Sequence, residues 1–407
     1  MRIFVVSVLV LVLCACQPQQ PTLVLPTQID LNALSTATAA AAAAQTGTAQ
    51  ALMPPALPPT WTPAPVVSAT PTLEVTRAAD TTAADVTGMI YYIYNGDSVA
   101  RVPADGSRGP ELILLANAIQ DLALSPDGTL LAYVAQGNGS AREVFVSNLD
   151  GTYSQQISCL GFSRVLSPTW SWDSAKLAFL GAQTSDGPMD VYSADLAGSN
   201  NCPAGNNQRQ LTQLASQRMN HLTWNADGSV IYFDNYNIGA VNLNSGMVYD
   251  VTAARGFGAD TYPIFNPHDH MLYFLRPVEL DREGGQLFVQ DLAQVVPGTE
   301  APEPAGVFGF YANDMELGRD GEDVVLAGAD GSVFILDLAM ASPILVGDSL
   351  VSLPPQPTLS PDGEYVAFVA LGAIAPQIYV TRRVGGSATV ITNHTEGTVE
   401  DIAWAAG

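Results

Sequence analysis

The sequence is poor in basic residues. It has 15 lysines and arginines against 39 aspartates and glutamates, and Lys176 is its single lysine, so the formal net charge is −24. A surface of this charge repels the phosphate backbone of nucleic acids, and we therefore expect no nucleic-acid partner. It also repels anionic lipid headgroups, so stable contact with a membrane requires an anchor.

Common catalytic motifs are also missing. The sequence has no G-x-S-x-G nucleophile elbow and no H-E-x-x-H zinc motif. The four histidines, His221, His268, His270 and His394, are not grouped with cysteines at the spacing of a zinc site. The densest group, "HDH" at 268–270, falls in a predicted turn, where a solvated loop is expected. We predict no catalytic residue, no metal site and no cofactor.

Cysteine is scarce, and two of the four cysteines follow an apolar segment at the start of the chain. Residues 3–13 have the length of a signal-peptide core and are too few to span a bilayer. "LCAC" at 13–16 resembles a bacterial lipobox, with Leu13 at −3, Ala15 at −1 and Cys16 as the lipidated residue. We predict a lipoprotein signal peptide over 1–15 and an extracytoplasmic protein anchored through Cys16. The alternative is an ordinary signal peptide with an incidental cysteine.

The other two cysteines, Cys159 and Cys202, form an even pair in a compartment that we expect to be oxidising. A disulfide between them is possible, but sequence separation gives no geometry, and two buried thiols are the alternative.

A low-complexity segment separates the signal peptide from the rest of the chain. Residues 17–85 contain ten prolines and an alanine run at 39–44, with little charge. Prolines at this density break helices and sheets. We predict a disordered tether over 16–85, including the lipidated cysteine, followed by one folded domain over 86–407.

The folded region consists of repeats. Each repeat has an apolar strand, a tight turn, two further strands and a short fourth strand ending in serine or threonine. Six repeats have a complete first strand and turn, at 122–135, 168–182, 222–235, 263–276, 315–329 and 357–370. One turn column contains Asp127, Asp173, Asp227, Asp320 and Asp362, with His268 in the remaining row. Successive members of this column are 41–54 residues apart, the period of a four-stranded propeller blade.

Incomplete repeats lie at the two ends. Residues 88–116 match the second, third and fourth strands, whereas "VEDIAWA" at 399–405 matches a first strand alone. Pairing the two completes a seventh unit and covers open sheet edges. We therefore predict an all-β, seven-bladed β-propeller of four-stranded antiparallel blades, closed by the C-terminal strand. Six or eight blades are the alternatives.

The segments "SPTWSWDSAKLAFLGA", "LSPDGTLLAYVA" and "LSPDGEYVAFVA" resemble the blades of the TolB-like, WD40-like propeller family. The resemblance covers about 86–407 and implies the fold, but little about activity, because propellers host many functions. A proline- and threonine-rich segment stands where TolB proteins have an α/β domain. The partners of that domain are therefore not implied here.

The first strands suggest a ligand site. Counting back from the Ser125 column, the residues one step back are large and apolar, and those three steps back are also apolar. Both sets should pack between blades. The residues two steps back are mostly small or polar. All residues four steps back are polar: Asp121, Ser167, His221, Tyr262, Asp314, Gln356 and Asp401.

We expect the polar column to lie at or near one mouth of a central channel, beside the long loops between second and third strands. The candidate ligand residues are Asp121, His221, Tyr262, Asp314, Gln356 and Asp401. If the three aspartates converge, their repulsion favours a bound cation, an amine or a basic peptide. A ring that is only solvated, or that only bonds one blade to the next, is the alternative.

The sequence therefore favours a monomeric, membrane-anchored propeller that binds an envelope protein, peptide or polymer without chemistry of its own. The alternative is a hydrolase or lyase acting on a glycan or peptide at the acidic mouth, because paired carboxylates can perform acid–base catalysis.

Overall fold

The computed structural model describes residues 85–198, 201–202, 204–252, 258–279, 282–294, 305–340, 342–348 and 356–407. The predicted signal peptide, Cys16 and the predicted tether up to residue 84 lie outside the described residues. Within the described ranges the regular structure is β-sheet with a short 3-10 helix at Leu292–Gln294. No helix in these ranges has the length and apolarity needed to cross a membrane.

The first three sheets each contain four antiparallel strands. The first sheet comprises β1 (Met89–Tyr94), β2 (Ser98–Pro103), β3 (Glu111–Leu115) and the C-terminal strand β27 (Val399–Ala405). The second comprises β4 (Gln120–Leu124), β5 (Leu130–Gln136), β6 (Arg142–Asn148) and β7 (Ser154–Gln156). The third comprises β8 (Arg164–Trp170), β9 (Lys176–Ala182), β10 (Asp190–Asp195) and β11 (Arg209–Gln210).

The remaining three sheets have four, seven and four strands. The fourth sheet comprises β12 (Leu222–Trp224), β13 (Val230–Asp234), β14 (Ile238–Asn242) and β15 (Val248–Asp250). The fifth comprises β16 (Thr261–Phe265), β17 (Met271–Arg276), β18 (Gly285–Asp291), β19 (Ala305–Leu317), β20 (Asp323–Gly328), β21 (Ser332–Asp337) and β22 (Ser342–Asp348). The sixth comprises β23 (Thr358–Leu359), β24 (Tyr365–Leu371), β25 (Pro376–Arg382) and β26 (Thr389–Val390).

The seven-stranded sheet departs from the predicted separate four-stranded units. Strand β19 is 13 residues long, and its first part pairs with β18 whereas its last part pairs with β20. One continuous strand thus ends one repeat and begins the next. Its sequence, "AGVFGFYANDMEL", contains no proline to interrupt the ladder between the two pairings.

The turns after the first strands are held by aspartate side chains. Ser125 Oγ lies 2.6 Å from Asp127 Oδ1, and the Thr129 N–H donates to the same oxygen at 3.0 Å. Asp173, Asp227, Asp320 and Asp362 each accept from the backbone N–H two residues on. In the remaining row this role belongs to Asp269, which accepts from Met271 N at 2.8 Å, and not to His268 as the column predicted. Carboxylates that accept backbone N–H groups in this way favour tight turns.

The serine or threonine that ends a repeat also has a structural role. Its hydroxyl accepts a 2.9 Å hydrogen bond from the backbone N–H at the start of the third strand. The four pairs are Ser158 with Val144, Thr212 with Val191, Thr252 with Ile238, and Thr392 with Ile378. This bond fixes the end of the fourth strand against the third strand, which explains the recurrence of the residue in the sequence.

The core lies between sheets, as predicted for the residues one step back from the Ser125 column. Each of seven hydrophobic clusters formed by the described residues contains one member of this column: Leu124, Trp170, Trp224, Phe265, Leu317, Leu359 and Trp404. The indole N–H of Trp170 donates to Ala123 O at 3.1 Å, and that of Trp224 donates to Thr169 O at 3.0 Å. The tryptophans therefore join neighbouring sheets by packing and by a hydrogen bond.

The C-terminal strand pairs with β1, which confirms the pairing predicted from the incomplete repeats. Met89 lies opposite Ala405 and Tyr94 opposite Val399. Trp404 is buried and donates its indole N–H to Thr87 O at 3.0 Å. Gly88 has φ +101°, and a Cβ there would lie 2.4 Å from Ala405 O. A glycine is therefore needed where β27 approaches the start of the folded region.

Cys159 and Cys202 form a disulfide, which resolves the alternative that the sequence left open. Cys159 follows β7 of the second sheet, and Cys202 lies between β10 and β11 of the third sheet. The bond therefore links two neighbouring sheets near their outer strands.

Candidate functional site: a central cavity

A cavity of about 850 Å³ lies where the first strands of all the repeats converge. It is lined by residues of all six sheets. Its rim includes Pro126, Asp127, Asp173 and His268 from the tight turns, together with Arg319. The volume is that of a typical small-ligand site.

The wall of the cavity contains every residue two steps back from the Ser125 column: Ala123, Thr169, Thr223, Ile264, Glu316, Thr358 and Ala403. Apart from Ile264, this set is small or polar, as expected for side chains that face a channel. Glu316 is its single charged member. Its Oε1 accepts from Thr358 Oγ1 at 2.9 Å and from Leu359 N at 3.4 Å.

The predicted polar ring lies at the end of the cavity away from the turns. His221 and Tyr262 line the cavity together with Ser167, whereas Asp121, Asp314, Gln356 and Asp401 do not. The cavity thus extends toward the tight turns. The ligand site predicted from the sequence lay beside the long loops instead. Four of the six predicted ligand residues stand behind its floor.

Backbone geometry explains this placement. Asp121, Ser167, Tyr262, Gln356 and Asp401 have positive φ values between 38° and 54°. In β4, β8, β16 and β27 the register shifts at this position, so that two residues face one on the partner strand. These are β-bulges, which redirect side chains and end regular alternation. Non-glycine residues with positive φ cost on the order of 1 kcal/mol each, so the surrounding contacts must hold them in place.

Hydrogen bonds between neighbouring sheets supply those contacts. Gln356 Oε1 accepts from Asp401 N at 3.0 Å, and Gln356 Nε2 donates to Asp401 Oδ1 at 3.1 Å. Asp121 Oδ2 accepts from Ser167 N at 2.9 Å, and Ser167 Oγ donates to Asn220 O. Much of the ring therefore bonds one repeat to the next, as the alternative interpretation of the sequence held.

The acids of the ring are close enough to perturb one another. Burial, reinforced by the carboxylates of Asp121 and Asp314, raises the pKa of Asp401 to about 7. Burial raises the pKa of Asp314 to about 6 and that of Asp121 above its ordinary value, and His221 opposes both shifts. Burial also raises the pKa of the wall residue Glu316 to about 7. Protonation of these groups therefore changes the charge of the channel near neutral pH.

His221 is the most highly organised group facing the cavity. Its Nδ1 lies 2.8 Å from Asp234 Oδ2, while Asp234 Oδ1 accepts from the backbone N–H groups of Asn220 and His221. Asp234 is fully buried. The imidazole stacks on the Tyr262 ring with 3.5 Å between centroids. A buried carboxylate and an aromatic ring thus fix the orientation of a histidine that lines the cavity.

Arg319 extends across the rim. Its Nη2 lies 3.5 Å from Trp404 O, and its Nη1 lies 3.5 Å from the position that a Cβ on Gly128 would take. The His268 ring nitrogen Nε2 contacts Arg319 O at 3.2 Å. Arg319 follows β19, whereas Gly128 follows β4. The guanidinium group therefore reaches residues of two other sheets.

Three of the residues that define this site were outside the predicted set. Glu316 is the one acid in the wall column, and this signal could have identified it, but the prediction used only the fully polar ring. Asp234 ends a second strand and has no repeat signature, and Arg319 belongs to a turn. Only the fold brings them to the cavity.

A metal ion between the three ring aspartates finds no support in the geometry. In the described part of the chain, no group of three or more histidine, cysteine, aspartate or glutamate residues is arranged to hold a metal ion. The ring acids instead take hydrogen bonds from neighbouring backbone and side-chain groups.

Comparison with solved structures places this arrangement in a known fold. An oligogalacturonate lyase, solved in complex with manganese, aligns with a TM-score of 0.55 and 12% identity over 70% of this chain and 82% of that one. The periplasmic gluconolactonase of Pseudomonas aeruginosa aligns with a TM-score of 0.53 and 14% identity over 78% and 99% of the two chains. The chain has the β-propeller fold. The fold implied by the TolB-like repeats is thus confirmed, while identities this low establish nothing about activity.

The chain is also similar to a TolB protein and, over a short segment, to a peptidase. TolB from Acinetobacter baumannii aligns with a TM-score of 0.49 and 15% identity over 79% of this chain and 67% of that chain. Dipeptidyl-peptidase 5 of Porphyromonas gingivalis is 32% identical over 93 residues, which span 20% of this chain and 14% of the peptidase. No protein-family model matches the chain.

Proposed function

We propose that this protein is a lipid-anchored, extracytoplasmic binding propeller that takes part of a protein, peptide or envelope polymer into its central cavity, without catalysing a reaction. The observation that carries the proposal is the cavity of about 850 Å³, which residues of every sheet line and in which Glu316, His221 and Tyr262 converge. Concave sites with a few convergent polar groups are the usual ligand sites of proteins.

The proposed architecture is a ring of seven blades over 86–407. The seven-stranded sheet would supply two blades that share β19, and the other five sheets one blade each. The seven hydrophobic clusters, each with one member of the Trp404 column, support this number. One of them contains residues of both the first and the sixth sheet, such as Tyr92 and Tyr365. A closed ring of this kind would work as a monomer.

The proposed location rests on the lipobox at Cys16 and the proline-rich tether over 17–85, which would hold the propeller away from the membrane. The Cys159–Cys202 disulfide supports an oxidising compartment. The net charge of −24 supports attachment through lipid and not through direct contact with anionic headgroups.

A second candidate function is acid–base catalysis on a glycan or peptide in the same cavity. The specific observation that favours it is the hydrogen-bonded pair of His221 and Asp234 beside a cavity that also contains Glu316, whose pKa is raised to about 7. A histidine oriented by a carboxylate and a glutamic acid titrating near neutral pH are the groups that general acid–base catalysis uses.

A blocked-cavity variant separates binding in the cavity from binding elsewhere. Thr169→Trp places a large side chain on the cavity wall, and Thr152→Trp, in an exposed turn, is the matched control. Full-length protein on beads, incubated with envelope extract, should retain a partner that the Thr169→Trp variant loses and the Thr152→Trp variant keeps. Equal retention by both variants would place binding elsewhere. Turnover of an envelope polymer, abolished by His221→Ala, would favour the enzyme.

A further inference from the structure

Several hydrogen-bonding groups around the inner cavity are acceptors. In the neutral form of His221, a hydrogen bond from Nδ1 to the carboxylate of Asp234 leaves Nε2 as an acceptor. Glu316 adds a carboxylate to the same wall. The hydroxyl of Thr169 lies 3.2 Å from both Ser167 O and Leu222 O, so its one proton is already used. These groups match a ligand that carries several N–H donors.

The charged residues around the cavity are mainly acidic, which also favours a cationic ligand. Asp127, Asp173 and Glu316 line it, and Arg319 is the only arginine or lysine among the lining residues. Behind the floor lie the acids Asp121, Asp314 and Asp401. Burial raises the pKa of Tyr262, and these three carboxylates, together with that of Asp234, raise it further. A low-dielectric channel surrounded by charge of one sign concentrates ligands of the opposite sign.

Arg319 shows which kind of group the rim accommodates. Its guanidinium lies against Trp404 O and over Gly128, and its positive charge lowers the pKa of Glu316 against the effect of burial. Arg319 itself is exposed. The protein thus places its own guanidinium at the entrance to an acceptor-rich cavity, where a cation from a partner would compete with it.

An organic cation fits the inner cavity better than a metal ion. No metal-binding group of three or more candidate ligands occurs among the described residues. The cavity instead combines acceptors with the stacked rings of His221 and Tyr262. Guanidinium and ammonium groups bind carboxylates and aromatic faces together.

We propose that the cavity recognises a guanidinium or primary ammonium group presented by a peptide segment of the partner, with Glu316 as its carboxylate contact and His221 and Tyr262 as the surrounding wall. This assignment rests on the proposed binding function and names its ligand class. Arg319 acts as a tethered competitor at the rim, which the incoming cation displaces.

Calorimetry on full-length protein in detergent tests the assignment. The probes are N-acetyl-arginine amide and the neutral isostere N-acetyl-citrulline amide. At pH 7.5 we expect the arginine probe to bind at least tenfold more tightly than the citrulline probe, and Glu316→Gln to weaken it at least tenfold. Glu322→Gln is the matched control, because Glu322 is an exposed acid in the same hairpin that does not line the cavity. It should leave the affinity within twofold.

Proton release on binding and the effect of Arg319→Gln also test the cation assignment. Because burial raises the pKa of Glu316 to about 7 and its carboxyl group must be ionised to bind a cation, binding at pH 6.5 should release protons, seen as a dependence of the heat on the buffer. Glu316→Gln should reduce this release. Arg319→Gln should raise the affinity for the arginine probe about threefold or more. Equal affinity for both probes, an unaffected Glu316→Gln variant, or no binding would overturn the cation assignment.

The result can be read separately from the test of the proposed function. If the partner is lost by Thr169→Trp but the arginine probe does not bind, the cavity is a binding site for another class of ligand. If Thr169→Trp has no effect on the partner either, both proposals fail.

Discussion

Truncating Trp404 tests whether the C-terminal strand holds the propeller together. The side chain is 2% exposed, lies in the cluster between the first and sixth sheets, and donates to Thr87 O. Replacing a buried tryptophan by alanine removes the buried area of the indole and leaves a cavity, at a cost of about 3–5 kcal/mol. We expect Trp404→Ala to lower the free energy of unfolding by roughly 4 kcal/mol.

The assay is equilibrium unfolding in urea followed by far-UV circular dichroism, which does not depend on the fluorescence of the removed tryptophan. Glu400→Ala is the matched control, because Glu400 is exposed on the same strand and lies opposite Ile93. Its effect should stay within about 0.5 kcal/mol, as for most surface substitutions. If Trp404→Ala cost less than about 1 kcal/mol, the view that β27 secures the first sheet would be refuted.

Three other outcomes follow from the structure and the sequence. The free energy of unfolding should fall as pH rises from about 4 to 7, because Asp401 and Glu316, with pKa values of about 7, keep protons in the folded state that the unfolded chain has released. The urea midpoint of the Asp401→Asn variant should therefore depend less on pH than that of the unaltered protein. An unchanged dependence on pH would contradict the raised pKa of Asp401. Replacing Cys159 and Cys202 by serine should lower the free energy of unfolding, measured in urea, by about 2–4 kcal/mol, since the disulfide closes a separation of 43 residues. An unchanged free energy of unfolding would show that the disulfide does not stabilise the fold. Replacing Cys16 by serine should move the protein from the membrane to the soluble fraction on centrifugation, and retention in the membrane would count against a lipid anchor.

The periodic parts of the fold could be predicted from the sequence because they depend on local chemistry. The Asp-Gly turns, the terminal serine or threonine of each repeat and the apolar column of Trp170, Trp224 and Trp404 each mark one element and one face. The pairing of β27 with β1 followed from counting strands. The fusion of two repeats through β19 could not be predicted, because the connection between those repeats carries no repeat signature.

The candidate site was predicted in part. Strict alternation places Asp121 and Ala123 on one face of a strand, and the wall column obeys this rule. The bulges at Asp121, Ser167, Tyr262 and Asp401 break the alternation, and no sequence pattern announced a positive φ at non-glycine residues. The polar ring therefore serves largely to bond neighbouring sheets, and the cavity lies on the side of the ring that faces the tight turns.

Contacts that depend on distant elements also escaped the sequence. Asp234 reaches His221 only because the first two strands of the fourth sheet lie side by side. Arg319 reaches Trp404 and Gly128 only because the sheets surround a common centre. Such meetings depend on tertiary structure and cannot be read from the local pattern of one repeat.

The most direct test of the binding account is site-specific photo-crosslinking in intact cells. A benzophenone amino acid replaces Trp172, which lines the cavity near its rim, or Leu115, which is exposed on the outer strand β3. Binding in the cavity predicts a discrete crosslinked product from position 172 that is absent from position 115 and is lost when Thr169→Trp is added. A product from position 115 alone, or one from position 172 that survives Thr169→Trp, would contradict the account.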